Sequence, residues 1–201
     1  MQIACSGRSA AILRWRMKGS LKMKKVFLML MAMLFFLSAC SLAEIESMKK
    51  YYTDSTVLIK ETYKQLLDVL SRRDHDQLKN MFSPKVQQDP DLDQKIEDLF
   101  DYIEGDVLPF DEEMQILPFT GTHVDHGKRS KIIQASIDLE TSEQKYIIIL
   151  QEYVVDTIEP NNEGIESIYI AYAKNYTYGE IYQSKGTLNT GINLEYYDFD
   201  F

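Results

Sequence analysis

Lys131-Ile132-Ile133-Gln134-Ala135-Ser136-Ile137-Asp138-Leu139-Glu140 alternates between two sets of side chains. Ile133, Ala135, Ile137 and Leu139 fall on one face, and Ile132, Gln134, Ser136 and Asp138 on the other. A period of two with one apolar face is the pattern of a half-buried β-strand. Thr141 to Gln144 then reads as a hairpin loop into Lys145–Asp156. Near its start that stretch is apolar on both faces, with Tyr146, Ile148 and Leu150 against Ile147, Ile149 and Tyr153, so it is expected to be a central strand covered on both sides at that end. Pro160-Asn161-Asn162-Glu163-Gly164 is a loop, and Ile165 to Ala173 returns as a further strand.

Upstream the period changes. Across Asp54 to Ser71, Ile59, Tyr63, Leu66, Leu67 and Leu70 form one stripe of a helix. Leu92, Ile96, Leu99, Phe100 and Ile103 repeat the same spacings in a helix expected to start at Asp89-Pro90 and stop at Gly105. Between them Asp74 and Gln77 have capping-box form for a short helix carrying Leu78, Met81 and Phe82, and Ser83-Pro84 reads as a cap followed by a first-turn proline. Val107 to Phe110 and Gln115 to Thr122, the latter broken by Pro118, are expected as two further strands. Helices followed by antiparallel hairpins define an α+β domain. Residues 175–201, rich in tyrosine and glycine, are expected to be irregular, with part packed on the sheet as an edge strand or a loose tail.

The succession of helix, short helix at Met81-Phe82-Ser83-Pro84, second long helix, then His126-Gly127-Lys128-Arg129-Ser130-Lys131, Asp138-Leu139-Glu140-Thr141 and Lys145-Tyr146 resembles a family of uncharacterised lipoproteins of Gram-positive bacteria. Its domain belongs to the nuclear-transport-factor-2-like, or cystatin-like, superfamily. The resemblance covers roughly Lys50 to Lys174 and implies a cone, in which a strongly curved antiparallel sheet wraps on helices, often around a pocket. It brings no established catalytic residues. Some superfamily members are isomerases or dehydratases, which makes Tyr63, Tyr102 and Tyr146 the pocket candidates.

At the other end of the chain, Met23-Lys24-Lys25 precedes an apolar run from Val26 to Leu37 that closes on Leu37-Ser38-Ala39-Cys40. A basic start, an apolar run of ~7–15 residues and a small-residue cleavage zone make a secretory signal. A spanning helix needs ~20 apolar residues. Leu-Ser-Ala-Cys also resembles the lipobox of bacterial lipoproteins. The resemblance implies that Cys40 becomes the first mature residue and carries a diacylglyceryl group on the outer face of the cytoplasmic membrane. Each buried methylene contributes about 0.8 kcal/mol, and two chains anchor where one binds only marginally. The expected organisation is therefore an upstream extension at 1–22 with Met23 as initiator, a signal peptide at 23–39, a tether at 40–49, the domain at 50–174 and an aromatic, acidic tail at 175–201.

Removing residues 1–39 takes seven of the 22 basic residues and none of the 31 acidic ones, leaving 15 against 31 and a net charge of −16. Such a body is poorly suited to nucleic-acid phosphates or anionic lipid. Of the two cysteines, Cys5 lies in the removed part and Cys40 takes the lipid, so no disulfide, thiol nucleophile or thiolate ligand is expected.

His123-Val124-Asp125-His126 offers the beginning of a metal site at His123 and His126. Zinc needs three or four convergent ligands, however, and the remaining histidine, His75, sits beside a helix cap. A solvated turn closed by Gly127 is the preferred reading. Asp89, Asp91 and Asp93 imitate the start of a calcium loop but lack its glycine and terminal glutamate. No phosphate loop, nucleophile elbow or zincin motif occurs, and no cofactor is expected. These observations point to a non-catalytic, membrane-tethered domain that binds a small ligand or a protein partner. An isomerase- or dehydratase-like enzyme and a spacer or assembly protein are the alternatives.

Overall fold

The computed structural model describes Met29, residues 44–175 and residues 190–194. The chain divides into two compact units, Met1–Glu46 and Ser47–Phe201. In the first, the described residues (Met29 and 44–46) are helical, and Cys40 lies outside them. The second is an α+β body. It contains α1 (residues 47–52), α2 (Ser55–Arg72), α3 (His75–Met81) and α4 (Leu92–Tyr102). These are followed by β1 (Phe119–Asp125), β2 (Lys128–Glu140), β3 (Lys145–Asp156), β4 (Gly164–Tyr172) and β5 (Gly191–Leu194).

Both amphipathic stripes are buried as their spacing predicts: Ile59, Tyr63, Leu66, Leu67 and Leu70 on α2, and Leu92, Ile96, Leu99, Phe100 and Ile103 along α4 and its C-terminal end. The Asp54 side chain accepts the Thr56 N–H at the start of α2, and the Asp74 side chain accepts that of Gln77 at the start of α3. Each satisfies a donor that a helix terminus otherwise leaves open. The proline turn is a short 3₁₀ segment, Val86–Gln88, with the Ser83 hydroxyl accepting the Val86 N–H. α4 is shorter than its sequence suggests at both ends. Asp89 turns the chain by accepting the Asp91 N–H and the Lys95 ammonium, so the helix begins at Leu92. Ile103 is already extended, and Gly105 (φ +80°) turns the chain two residues later.

The five strands lie in the order β1-β2-β3-β4-β5, antiparallel up to β4, with β5 parallel to β4. The sheet is thus mixed and not closed, whereas the sequence suggests an all-antiparallel one. Ile133, Ala135, Ile137 and Leu139 of β2 are buried with Ile148 and Leu150 of β3, Ile168 and Ile170 of β4, and Ile192 and Leu194 of β5 in one core with the helices. β3 is central, and its opposite face buries Ile149 beside its cross-strand neighbour Tyr169.

Two expected strands change. Only Val107 of Val107–Phe110 pairs, in a single bridge to Thr141, because Pro109 has no N–H to continue a ladder and Phe110 turns in against Tyr63. The stretch Gln115–Thr122 becomes a strand only after Pro118 and runs on to Asp125. In the C-terminal stretch, most of which lies outside the described residues, Gly191–Leu194 forms the parallel edge strand.

Candidate functional site

The three tyrosines proposed as pocket candidates are structural members of the body. Tyr63 has no exposed surface, and its hydroxyl donates to the Asp138 backbone carbonyl at 2.6 Å. Tyr146, also fully buried, accepts the Glu104 N–H and donates to the Tyr102 carbonyl. Rings of Tyr102, Tyr146 and Tyr172 meet at 5.1–5.7 Å between centroids. The Tyr172 hydroxyl donates to Glu104, and its phenol is pushed up to about 12 by burial first and then by that carboxylate. These contacts join the end of α4 to β3 and β4.

His123 and His126 are both exposed at the β1–β2 hairpin. His126 (φ +48°) and Gly127 (φ +83°) are the two central residues of a tight turn closed by the Asp125–Lys128 pair. Positive φ at both positions is what a two-residue hairpin of the I′ type requires. The Asp125 carboxylate bonds the His126 ring, and among the described residues no group of three or more histidine, cysteine, aspartate or glutamate side chains could hold a metal. Asp93, one of the calcium-like aspartates, pairs with Lys79 and thereby ties α3 to α4.

Two polar groups that sequence reading passed over lie on the helix-facing side near β1. Lys131, only 4% exposed, donates to the carbonyls of Tyr51 and Thr53 just where α1 ends. Burial lowers its pKa against the pull of Asp54. On β3, the partly buried Glu152 accepts the Thr62 hydroxyl of α2 at 2.7 Å. Burial raises its pKa, opposed by the Thr62 bond and by Lys50. Glu152 occupies an inward position of the β3 alternation, opposite Ile133 and Ile165. That placement was the available signal.

A carboxyl whose folded pKa is raised contributes stability that is full below about pH 4, the ordinary glutamate range, and is lost as pH rises through the folded value. Glu152→Gln keeps an acceptor for Thr62 and removes the charge. We expect it to unfold like the wild type near pH 4 and to be more stable near neutrality, where the wild type bears the cost of the buried charge. Denaturant titrations of both proteins across that range check the result.

The β3–β4 connection uses its acids internally. Asp156 accepts the N–H groups of Ile158 and Glu159 and the Asn162 amide, while Glu163 accepts the Asp156 N–H.

The most open feature is β1. It forms an outer edge of the sheet, pairing only with β2 among the described residues. Six of its seven residues are exposed, Phe119 and Val124 among them, and Leu117 just before it is 87% exposed. β5, at the other edge, is four residues long and entirely buried.

Fold and site together define a small α+β domain with a packed helix-facing core and one open sheet edge. Residues 65–178, more than half of the chain, match the family DUF5104, a domain of unknown function, and the chain belongs to that family. A search of curated proteins found no match. Among the described residues no helix is long and apolar enough to cross a membrane.

Proposed function

We propose that the protein is an extracytoplasmic lipoprotein, anchored through diacylglyceryl on Cys40, whose body is a nuclear-transport-factor-2-like domain that binds a protein partner without catalysis. The observation that carries this reading is the β1 edge, which is exposed and, among the described residues, unpaired on its outer side. Natural sheets blunt their edges with lysine, proline, bulges or a covering element. β1 contains neither lysine nor proline, pairs with β2 without a bulge, and exposes large apolar side chains. The fully buried hydroxyls of Tyr63 and Tyr146 support it as well, since backbone groups already engage them. Helices that share one core with a single sheet are in keeping with the superfamily's architecture.

The test is made in intact cells with a photo-crosslinking residue at position 122 and a radioactive fatty acid. The reading expects label on the wild type, none on Cys40→Ala, and a discrete crosslinked product that a crosslinker at the buried position 137 does not give. Equal label on both chains would sink the anchor, and absence of a product specific to position 122 would sink partner binding at this edge.

One observation favours an isomerase- or dehydratase-like enzyme instead. Glu152 is a carboxyl on the helix-facing side whose pKa burial raises, the kind of group that general acid–base chemistry uses. Its only described hydrogen-bond partner is the Thr62 hydroxyl.

A further inference from the structure

We propose that the β1 edge is the site at which an extended, basic segment of a partner protein adds as a sixth strand, an inference that rests on the partner-binding reading above. Strand addition needs a free row of backbone donors and acceptors, a straight register and room for side chains on both faces. β1 meets all three. Its seven residues pair with β2 in unbroken register from Phe119↔Gln134 to Asp125↔Lys128, and the register shift in β2 falls on its other side, against β3. An incoming strand would meet Phe119, Gly121 and His123 on one face and Thr120, Thr122 and Val124 on the other. Gly121 has no side chain, and Ile132 closes over the gap so tightly that a Cβ there would lie 2.9 Å from its Cγ2. Ile132 therefore covers Gly121, and the surface between Phe119 and His123 is apolar on the face away from the helices.

Charge selects the occupant. From residue 96 to residue 127 the chain carries nine acidic residues and no lysine or arginine. Asp111, Glu112 and Glu113 are exposed on the approach to β1, and Asp125 stands at its far end. Of the basic groups on the neighbouring strand, Lys131 holds the carbonyls at the end of α1, the Arg129 guanidinium lies over the Tyr51 ring, and Lys128 stands opposite Asp125. Lys64 pairs with Glu112 and lies over the Phe110 ring, and Lys60 donates to the Glu112 carbonyl. The strand therefore offers apolar contacts and backbone pairing on a body whose net charge over residues 40–201 is −16. A lysine- or arginine-bearing strand gains from that charge in both encounter and affinity. A second copy would bring another net charge of −16 to the same edge, counted over residues 40–201, and the like charges oppose it.

The experiment uses the full chain in detergent micelles and, as probe, a capped octapeptide of alternating lysine and valine, with a glutamate–valine octapeptide as control. Amide hydrogen exchange is followed by mass spectrometry. The lysine–valine peptide is expected to slow exchange in residues 119–125 at least tenfold, and the glutamate–valine peptide to leave it unchanged. The double variant Phe119→Lys, Val124→Lys, whose new side chains point into solvent, is expected to melt with the wild type and to bind the probe at least tenfold more weakly. Three results would each overturn the proposal: equal protection by both peptides, protection confined to other segments, or probe affinity unaltered in the double variant. Concentration-dependent protection of residues 119–125 without peptide would assign the edge to a second copy and overturn it too. A failed probe alongside a position-122 crosslink removes the basic strand and leaves partner binding standing; a bound probe without that crosslink does the reverse.

Discussion

Gly164→Ala is expected to destabilise the domain by about 3–5 kcal/mol, from backbone strain and overpacking together, each typically about 1–3 kcal/mol. Gly164 opens β4 at φ +122°, a conformation that L side chains rarely adopt. A Cβ there would lie 2.9 Å from the Ser83 nitrogen, 3.0 Å from its Cα and 3.1 Å from the Phe82 carbonyl carbon. All three are backbone atoms, so no side chain can swing aside. The approach is tight because the link after α3 docks on the sheet at this point: Phe82 bridges Ile165 in parallel fashion, and the Ser83 N–H donates to the Ile165 carbonyl at 3.0 Å. Phe82 and Ser83 are both buried, so moving them opens the core between α3 and β4.

Gly127→Ala is the internal control. Its φ of +83° is also positive, but nothing lies within 4 Å of the place a Cβ would take, so only the conformational cost of about 1 kcal/mol applies. Urea denaturation of both variants decides the matter. Equal losses would show that the close approach to Ser83 contributes nothing. Since domains are stable by only about 5–15 kcal/mol, the Gly164 variant is expected to be partly unfolded at elevated temperature while the Gly127 variant stays folded.

The sequence shows Gly164 as one more loop residue, and the reason is general. Its requirement comes from Phe82 and Ser83, some eighty positions earlier, and long-range approach leaves no local pattern. What is locally periodic was readable. The stripes of α2 and α4, the alternation of β2, the two-faced burial of β3 and the Asp74 cap all follow from spacing within one element. For β1 only the overlap Phe119–Thr122 was readable, because both its faces meet solvent, which erases the period-two signal and hides its run to Asp125. That part of residues 175–201 packs on the sheet is expected from the sequence, but the position and parallel direction of β5 were not readable, since Gly-Ile-Asn-Leu is buried throughout and pairs with a strand more than twenty residues away. The same contrast governs the candidate site. Tyr63 and Tyr146 attracted attention as chemistry and are bonded to backbone across the layers, whereas the open edge drew notice only for His123 and Asp125. The function proposed for that edge rests on unpaired backbone and on charge, and neither is carried by a motif.

Tyr63→Ala is expected to cost about 3–5 kcal/mol, the range for removing a large buried aromatic ring. Tyr63 reaches from the middle of α2 to β2, fully enclosed, with its ring edge-on to Phe110 at 5.9 Å and its hydroxyl on the Asp138 carbonyl. Tyr63→Phe keeps the ring and deletes the donor, so the expected loss is about 1–2 kcal/mol, most of it from leaving that carbonyl without its partner. The two variants also differ from the wild type in alkali. Burial, and then the charge of Asp138, push the Tyr63 phenol above its ordinary value. The folded chain therefore keeps this proton at a pH where the unfolded chain releases it. The contribution is full below about pH 10 and is lost as pH rises through the folded value. Tyr146, Tyr153 and Tyr172 are shifted the same way, so Tyr63→Phe is expected to reduce the alkaline loss of stability without abolishing it. Denaturant titrations near pH 8 and pH 11 give both quantities. The phenylalanine variant also separates the two functional readings. A strut can lose its hydroxyl and leave the β1 edge intact, so lysine–valine peptide binding should match the wild type. An interior catalytic tyrosine predicts instead a folded variant that has lost its chemistry at full stability, and a measured loss of stability with unchanged peptide binding is the outcome that this reading cannot accommodate.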